Sequence, residues 1–327
     1  MLYIESESLD PYFNLALEEY AFETLSLIDD CFMLWQNDKT IVIGKNQNTA
    51  EEINSEYVTA NDIKVARRMS GGGAVFHDIG NLNYTFIVKR KKKFDFNFKV
   101  FAEYVIDALK TLGIKAEFTG RNDIVIDGKK ICGVAQYGNK DHILHHGCIM
   151  ISSDLEKVAL ALKPKDAKFQ SKSTKSVRSR VTTISAAAGR NITVQQFRDL
   201  LKSQILNSKG TTSYHLAKNE LNAVQRLQYE KYETWNWNYG ASPKYNFEVE
   251  HKFDFGLVSI RAQILNGRIL SLSVFGDFFG NKDIAELTDM LKGVPLDDDL
   301  ENYLINNINF DDYIKGMTPS EFCSMLL

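Results

Sequence analysis

Arg67 to Asn83, RRMSGGGAVFHDIGNLN, gathers more potential chemistry than any other stretch of this 327-residue chain. Two adjacent guanidiniums lead into Gly71, Gly72 and Gly73, and a short apolar run then ends at His77 and Asp78. Consecutive glycines lose conformational entropy on folding that an ordinary surface loop need not lose. They make sense where backbone N–H groups must approach a ligand, most often a phosphate, with arginines close by. The plainer alternative is a flexible turn between two strands. The Arg pair and the amides of Asn81 and Asn83 tilt the balance towards an anion or nucleotide site.

A second group lies at 120–151. Gly120-Arg121-Asn122-Asp123 places a cation, an amide and a carboxylate side by side. That trio suits a ribose or a metal-bound phosphate, since Asp is a hard oxygen ligand for Mg²⁺; taken alone, an Asx turn capping a strand is commoner. Lys129 and Lys130 follow on the far arm of a hairpin around Asp127-Gly128. A lysine pointing inward could bridge a phosphate and a carboxylate and offset their repulsion. Strand neighbours face opposite ways, so at most one of the two points in, and a solvated hairpin lysine is the commoner case. His145 and His146 make a poor metal pair for the same geometric reason, and no Cys or carboxylate follows at ligand spacing. Cys148 is either a nucleophile beside a histidine or a small core residue at the start of an apolar strand. From Lys163 to Arg180 seven basic residues face one acid among many serines. Such a segment cannot bury enough surface to fix itself, and a mobile basic loop is expected. It could fold over a nucleotide, dock an acidic protein or clamp RNA; without interleaved aromatics, RNA is the weakest of the three.

The elements that must hold these groups read as a mixed α/β pattern. Asp10-Pro11 opens a helix carrying Phe13, Leu17, Tyr20, Ala21 and Leu25. Short strands are predicted at 32–36, 40–44 and around Ile63 and Val65, then at 83–89, with a helix from Phe98 closing at Gly113. Strands at 124–126, 129–137 and 148–151 lead to a helix at 155–162. Thr193 to Gln196 is a capping box opening another helix, and a further helix is expected near 218–232. Thr234 to Gly240, TWNWNYG, then Ser242-Pro243, marks a boundary. Beyond it, alternating apolar residues and an Asn266-Gly267 turn predict a small antiparallel sheet followed by helices, a separate α+β domain of about 80 residues. The expected domains are 1–242 and 243–327.

Composition sets the frame. An apolar share of 44% with 25% charged residues is that of a soluble globular protein. The net charge of −3 argues against a general nucleic-acid binder. Four scattered cysteines suit a reducing cytosol, and neither a secretory signal nor a membrane span is visible. A cytoplasmic monomer is expected.

Taken together, RRMSGGGAVFHDIGN, GRNDIVIDGKKICG, HHG before an apolar strand, SKSTKSVRSRV and WNWNYG resemble the lipoate–protein ligase family, of the single-chain bacterial type with a C-terminal accessory domain. Cys132, Cys148 and Thr174 depart from the family's usual Ser, Thr or Ser, and Gly. The resemblance implies the α+β fold shared with biotin–protein ligases and a two-step reaction. Lipoate and Mg²⁺-ATP give lipoyl-AMP, and the lipoyl group then passes to a lysine of an acceptor. The acceptors would be lipoyl domains of 2-oxoacid dehydrogenase E2 subunits or the glycine-cleavage H protein. It implies Lys130 as the catalytic cation. Arg68, Ser70, Gly71, Gly72, Gly73, Ala74, Val75, Phe76 and His77 would line the lipoyl and adenylate pocket. Asn83, Asn122 and Asp123 would contact nucleotide, with Asp123 on Mg²⁺, and Ser176, Val177 and Arg178 would close over the adenylate. The glycine run then becomes a thin wall beside the acyl chain, and Arg68 rather than Arg67 faces the site. The rival within the same fold is an octanoyl- or lipoyl-transferase working through a Cys148 thioester. A rival of another class is a non-enzymatic binder of acidic proteins using the basic loop.

Overall fold

The structure, a computed structural model, describes residues 1–91, 94, 96–120, 122–162, 180–207, 210–240 and 245–327. In chain order the strands are β1 (Leu2–Glu5), β2 (Cys31–Trp35), β3 (Thr40–Ile43), β4 (Lys64–Arg67), β5 (Val75–His77), β6 (Asn81–Lys89) and β7 (Glu117–Thr119). They continue as β8 (Asp123–Ile126), β9 (Lys129–Gly138), β10 (His142–Met150), β11 (Thr212–Ser213), β12 (Phe247–Phe253), β13 (Gly256–Leu265) and β14 (Arg268–Gly276). Eight of these form one mixed sheet in the order β11-β1-β2-β6-β10-β9-β8-β7.

β2 and β3, adjacent in sequence, belong to different sheets. At Asn37–Lys39 the chain turns, with Lys39 at φ 40°, out of the large sheet and into a small one ordered β4-β3-β5. That small sheet lies over the large one and supplies the opposite wall of the space described below. The Asp127-Gly128 hairpin is present, with both residues at positive φ as a two-residue turn requires. β10 begins at His142, so the histidine pair lies inside a strand, not ahead of one. β1 escapes the sequence pattern because it is only four residues long and borders β11, 210 residues away.

Helix Pro11–Glu23 is capped by the Asp10 carboxylate, which accepts from the Tyr12 N–H. It packs Leu15, Leu17, Ala21 and Phe22 on one sheet face with Met33, Trp35 and Ile87. Helix Phe98–Thr111 covers the other face through Phe101, Val105 and Leu109, joined by Phe197, Leu201 and Ile205 of helix Val194–Leu206. The Thr193–Gln196 capping box is formed.

The C-terminal part has its own core. β12, β13 and β14 make an antiparallel sheet whose Val258, Ile260 and Val274 pack with Leu287, Leu304 and Phe322 from the helices that follow. TWNWNYG is not a bare linker: Trp235–Asn238 is a short helix capped by Thr234. Ser242-Pro243 lies outside the described residues. The two parts touch through Phe279, whose ring lies 5.3 Å from that of Phe98, and through an ion pair of Lys45 with Asp283 at 3.0 Å. No described helix is long and apolar enough to cross a membrane.

Candidate functional site

One row of residues crosses five strands of the large sheet. Asp123 on β8 is opposite Gly133 on β9, Gly133 is opposite Cys148 on β10, Cys148 is opposite Asn83 on β6, and Asn83 is opposite Trp35 on β2. Directly opposed residues share a face, so the row is a floor about 19 Å long at the usual strand spacing. Val75 and His77 of β5, two residues apart and thus on one side of their strand, face it from the small sheet. Between them lies a cavity of about 110 Å³ that also takes in Leu15, Val42, Arg68, Gly72, Gly73, Ala74, Asn122, Lys130 and His146. A second cavity of about 250 Å³ shares Ala74, Val75, Lys130, Gly133 and Cys148 and continues past Met150, Val158, Leu162, Arg180 and Val181. Lys130 stands where the two meet.

A register shift explains how the lysine gets there. β8 and β9 pair Ile124 with Cys132 but Val125 with Lys130, leaving Ile131 as an extra residue. The bulge re-aims the strand. Lys129 ends exposed, whereas Lys130 folds back over Gly133 and meets Asp123, Nζ to Oδ1 at 2.7 Å. A methyl group on Gly133 would lie 2.8 Å from that Nζ, so the absence of a side chain there is what lets the lysine lie down.

The two arginines separate as strand alternation requires. Arg67 points away from the cavity. Its Nε donates to the Trp237 carbonyl at 2.9 Å, its Nη1 to the carbonyls of Gly44, Lys45 and Gln47, and its Nη2 to Thr49 Oγ1. Trp237 returns an indole N–H to the Arg67 carbonyl at 2.8 Å. The tryptophan motif is thus a clamp on Arg67. Arg68 lines the cavity but is not an open anion receptor: it donates to Ser70 Oγ at 3.0 Å and to the carbonyls of Val42, Gly71 and Gly73. Burial lowers both guanidiniums to about 10. Their charges are absorbed by backbone oxygens, and Arg68 shapes the glycine loop from within.

The three glycines differ. Gly71 faces the C-terminal part, where an added Cβ would lie 2.2 Å from the Phe278 carbonyl oxygen. Gly72 has φ +89°, a conformation glycine takes without strain. Only Gly73 is open. The run is therefore a packed wall with one exposed residue, not a cradle of free donors.

Behind the inner end runs a chain of buried polar groups. Trp35 Nε1 donates to Thr85 Oγ1 at 2.9 Å, and Thr85 donates to Glu18 Oε1 at 2.6 Å. His146 Nδ1 donates to the same Glu18 oxygen at 2.8 Å, and His146 Nε2 lies 2.7 Å from Ser70 Oγ. Ser70, His146 and Glu18 have the hydrogen-bond order of a nucleophilic triad. Ser70, however, is fully buried, does not border the cavity and accepts from Arg68. The set fixes positions and balances the buried Arg68 charge.

His77 is held differently. Asn14 Nδ2 donates to the carbonyls of Ser8 and Gln36 and to Asn37 Oδ1 at 2.9 Å, which leaves Asn37 Nδ2 to donate to His77 Nδ1 at 3.1 Å. With Nδ1 accepting, the ring proton sits on Nε2. Burial, with help from the Arg68 charge, drops the ring to about 3, so it is neutral. Burial likewise pushes the Cys148 thiol up to about 12, and its sulfur accepts from Asn81 Nδ2 at 2.8 Å.

Of the residues singled out from the sequence, Arg68, Gly72, Gly73, Ala74, Val75, His77, Asn83, Asn122 and Lys130 line the first cavity. Phe76 borders the second. Ser70 and Gly71 lie behind the wall. Asn83 sits towards the inner end between Trp35 and Cys148, not beside Asn122 and Asp123. His145 turns to the opposite face and stacks on Phe101 at 4.6 Å. Ser176, Val177 and Arg178 lie outside the described residues. Glu18, Asn14, Asn37 and Trp35 carry no functional signal in the sequence, where Asn37 reads as part of a turn, Trp35 as part of a strand, and Asn14 and Glu18 as ordinary positions of the first helix. No cluster of three or more His, Cys, Asp or Glu suited to a metal occurs among the described residues.

Two family models match the chain: the lipoyl protein ligase A/B catalytic domain over residues 10–206 and the bacterial lipoate protein ligase C-terminus over residues 242–326. The chain is 40% identical to the lipoate-protein ligase LplJ of Bacillus subtilis over all of both chains. The crystal structure of P. falciparum LipL1 in complex with lipoate superimposes with a TM-score of 0.82 at 25% identity, covering 99% of this chain and 98% of that one. A lipoate-protein ligase A bound with ATP gives a TM-score of 0.63 at 25% identity, over 73% of this chain and 97% of that one.

Proposed function

The chain belongs to the lipoyl protein ligase A/B family and is a lipoate–protein ligase, and from there we propose how its two cavities share the reaction. Lipoate lies along the sheet row with its carboxylate at Lys130, and ATP enters by the second cavity. A carboxylate oxygen attacks the α-phosphorus, the bond to pyrophosphate breaks, and lipoyl-AMP forms. The acceptor lysine's ε-amine then attacks the activated carbonyl and AMP leaves.

The observation that carries this reading is the position of Lys130 over Gly133, at the junction of both cavities and 2.7 Å from Asp123. Two anions meeting there repel, and a compact cation between them stabilises the charge that passes from one to the other. The activated acid needs no covalent enzyme intermediate. The Cys148 thioester route is disfavoured, because a thiol at about 12 supplies almost no thiolate at neutral pH.

Mg²⁺ would come to this site chiefly on the polyphosphate, with Asp123 as a single protein carboxylate completing its shell, which is how this ion is commonly held. Bound there it would neutralise phosphate charge. Asn122 would contact the nucleotide, and Ser176, Val177 and Arg178 would close over the adenylate and slow its hydrolysis. We assign residues 1–242 to a catalytic domain and 243–327 to an accessory domain. The acceptors are E2 lipoyl domains, the glycine-cleavage H protein or both, met by a monomer in the cytosol.

The test is ATP–pyrophosphate exchange with the intact protein. Exchange that requires lipoate supports the reading, and no exchange at any lipoate concentration sinks it.

A further inference from the structure

Two donors at the inner end of the first cavity have nothing to donate to. His77 Nε2 and Asn83 Nδ2 are buried and without a hydrogen-bond partner among the described residues. Both side chains line the cavity, and both are more than nine-tenths buried. A buried donor left unpaired is a liability that folded proteins seldom keep without a use. The neighbours offer no relief. Leu15, Val42, Val75 and Ala135 are apolar, the Trp35 indole N–H is taken by Thr85, and His146 is held by Glu18 and Ser70.

The identity of the His77 donor is fixed from outside the cavity. The Ser8 and Gln36 carbonyls orient Asn14, Asn14 orients Asn37, and Asn37 donates to Nδ1, so the proton is kept on Nε2. Four residues thus hold one N–H in place. The Trp35 ring stands edge-on to the imidazole with centroids 6.1 Å apart, and Trp35 is opposite Asn83 in the strand register. The two donors therefore flank the same spot, about two to three strand spacings, or 10–14 Å, along the floor from Lys130. An acid whose carboxylate sits at Lys130 brings the far part of a medium-length chain to that spot.

We propose that His77 and Asn83 are the specificity element that separates a sulfur-bearing acid from a plain alkyl acid of the same chain length. The inference rests on the reading of the cavity as the lipoate site. Dithiolane sulfurs are weak acceptors, but each gives a buried N–H somewhere to point. Octanoate has no lone pair there, and when it binds both buried donors stay unpaired against its alkyl chain. A site built to hydrogen-bond a group rejects the analogue that lacks it more strongly than an apolar pocket can. The discrimination comes from a penalty on the wrong acid as much as from a gain on the right one.

The experiment compares kcat/KM for lipoate and octanoate in ATP–pyrophosphate exchange, using the full chain and three variants. The wild type should prefer lipoate by about tenfold or more, the order set by one or two unpaired buried donors. His77→Leu and Asn83→Leu should each narrow that ratio, with lipoate falling and octanoate rising, mostly through KM. His77→Gln, which keeps an N–H near the same place, should restore part of the preference. If one leucine variant does not fold, the other and His77→Gln still decide. Equal use of both acids by the wild type overturns the proposal, as does an equal loss for both acids in every variant, since that is what a structural role gives. Exchange with neither acid overturns the reading beneath it and the proposal with it; exchange with both acids at one rate overturns only the proposal.

Discussion

The inner end of the cavity and its junction with the second cavity are built in opposite ways. At the inner end Trp35, Thr85, Glu18, His146, Ser70 and Arg68 are buried and joined by a continuous run of hydrogen bonds. Their arrangement is complete without a ligand. At the junction the working groups are half-free: the side chains of Lys130 and Asp123 are 33% and 35% exposed and hold chiefly each other. The difference follows from what each region does. Recognising a chain needs a shape settled in advance, and burial settles it. Moving charge between two anions needs a cation that can leave one partner for another, and an ion pair this exposed is weak enough to be exchanged.

The largest effect should come from breaking the junction. Lys130→Ala is expected to lower lipoate-dependent exchange by about a thousandfold, the scale of a lost charge-stabilising donor. The melting temperature should hardly move, because the pair it removes contributes little to stability. A loss of activity that tracks a loss of folded protein would place the lysine with the inner end instead. An unchanged rate would mean that another cation does the work.

Gly133→Ala tests the same region more gently. The new methyl would lie 2.8 Å from Lys130 Nζ and 2.9 Å from Cε, and the far end of a flexible side chain can move aside. The fold should survive. The cation would be displaced by a fraction of an ångström or more, enough to cost about ten- to a hundredfold in exchange. Activity within a factor of two of the parent would show that Lys130 is not positioned by its bed.

These two regions were not equally legible from the sequence. The junction is local: the Asp127-Gly128 turn and two short strands bring Asp123, Lys130 and Gly133 together within a dozen residues. Strand alternation also said that Arg67 and Arg68 face opposite ways, and the family resemblance picked Arg68. What alternation could not show is that Arg68 would be spent on its own loop's carbonyls. The inner end is non-local. Glu18 meets His146 across 128 residues, and the Asn14–Asn37–His77 series joins a helix, a turn and the small sheet. Glu18 is one of three glutamates in its helix and differs from Glu19 and Glu23 in burial, so nothing in the sequence marks it out or names its partner. Gly71 is a similar case, since the carbonyl that requires it belongs to Phe278.

The inner end should show itself in stability against pH. His77 has a native value of about 3 against an ordinary 6.5, lowered first by burial. Between those limits the unfolded chain binds a proton that the native chain does not. Its contribution is thus intact above about pH 6.5 and lost as the pH falls towards 3, at up to about 1.4 kcal/mol per pH unit. His145, also pushed down by burial, adds to the same slope. Urea unfolding of His77→Gln at neutral pH and near pH 5 should show a smaller loss on acidification than the parent does. An equal loss would mean that His77 titrates normally and is less enclosed than the structure has it.

The smallest effect belongs to a residue that both regions share. Cys148 lines both cavities, and in sequence it is the one side chain that could have made this a thioester-forming transferase. Burial keeps it a thiol, and its sulfur accepts a hydrogen bond from Asn81. Serine is close in size and accepts the same bond, so Cys148→Ser should leave kcat/KM for lipoylation of an acceptor domain within about threefold, the scale of one weak contact. A nucleophilic role predicts abolition, because a serine hydroxyl without an adjacent base does not replace a thiolate. The outcome also bears on how the two regions are joined. If activity persists, the acyl group crosses from the inner end to the acceptor with Lys130 as its principal charged escort, and the floor between them serves only as surface.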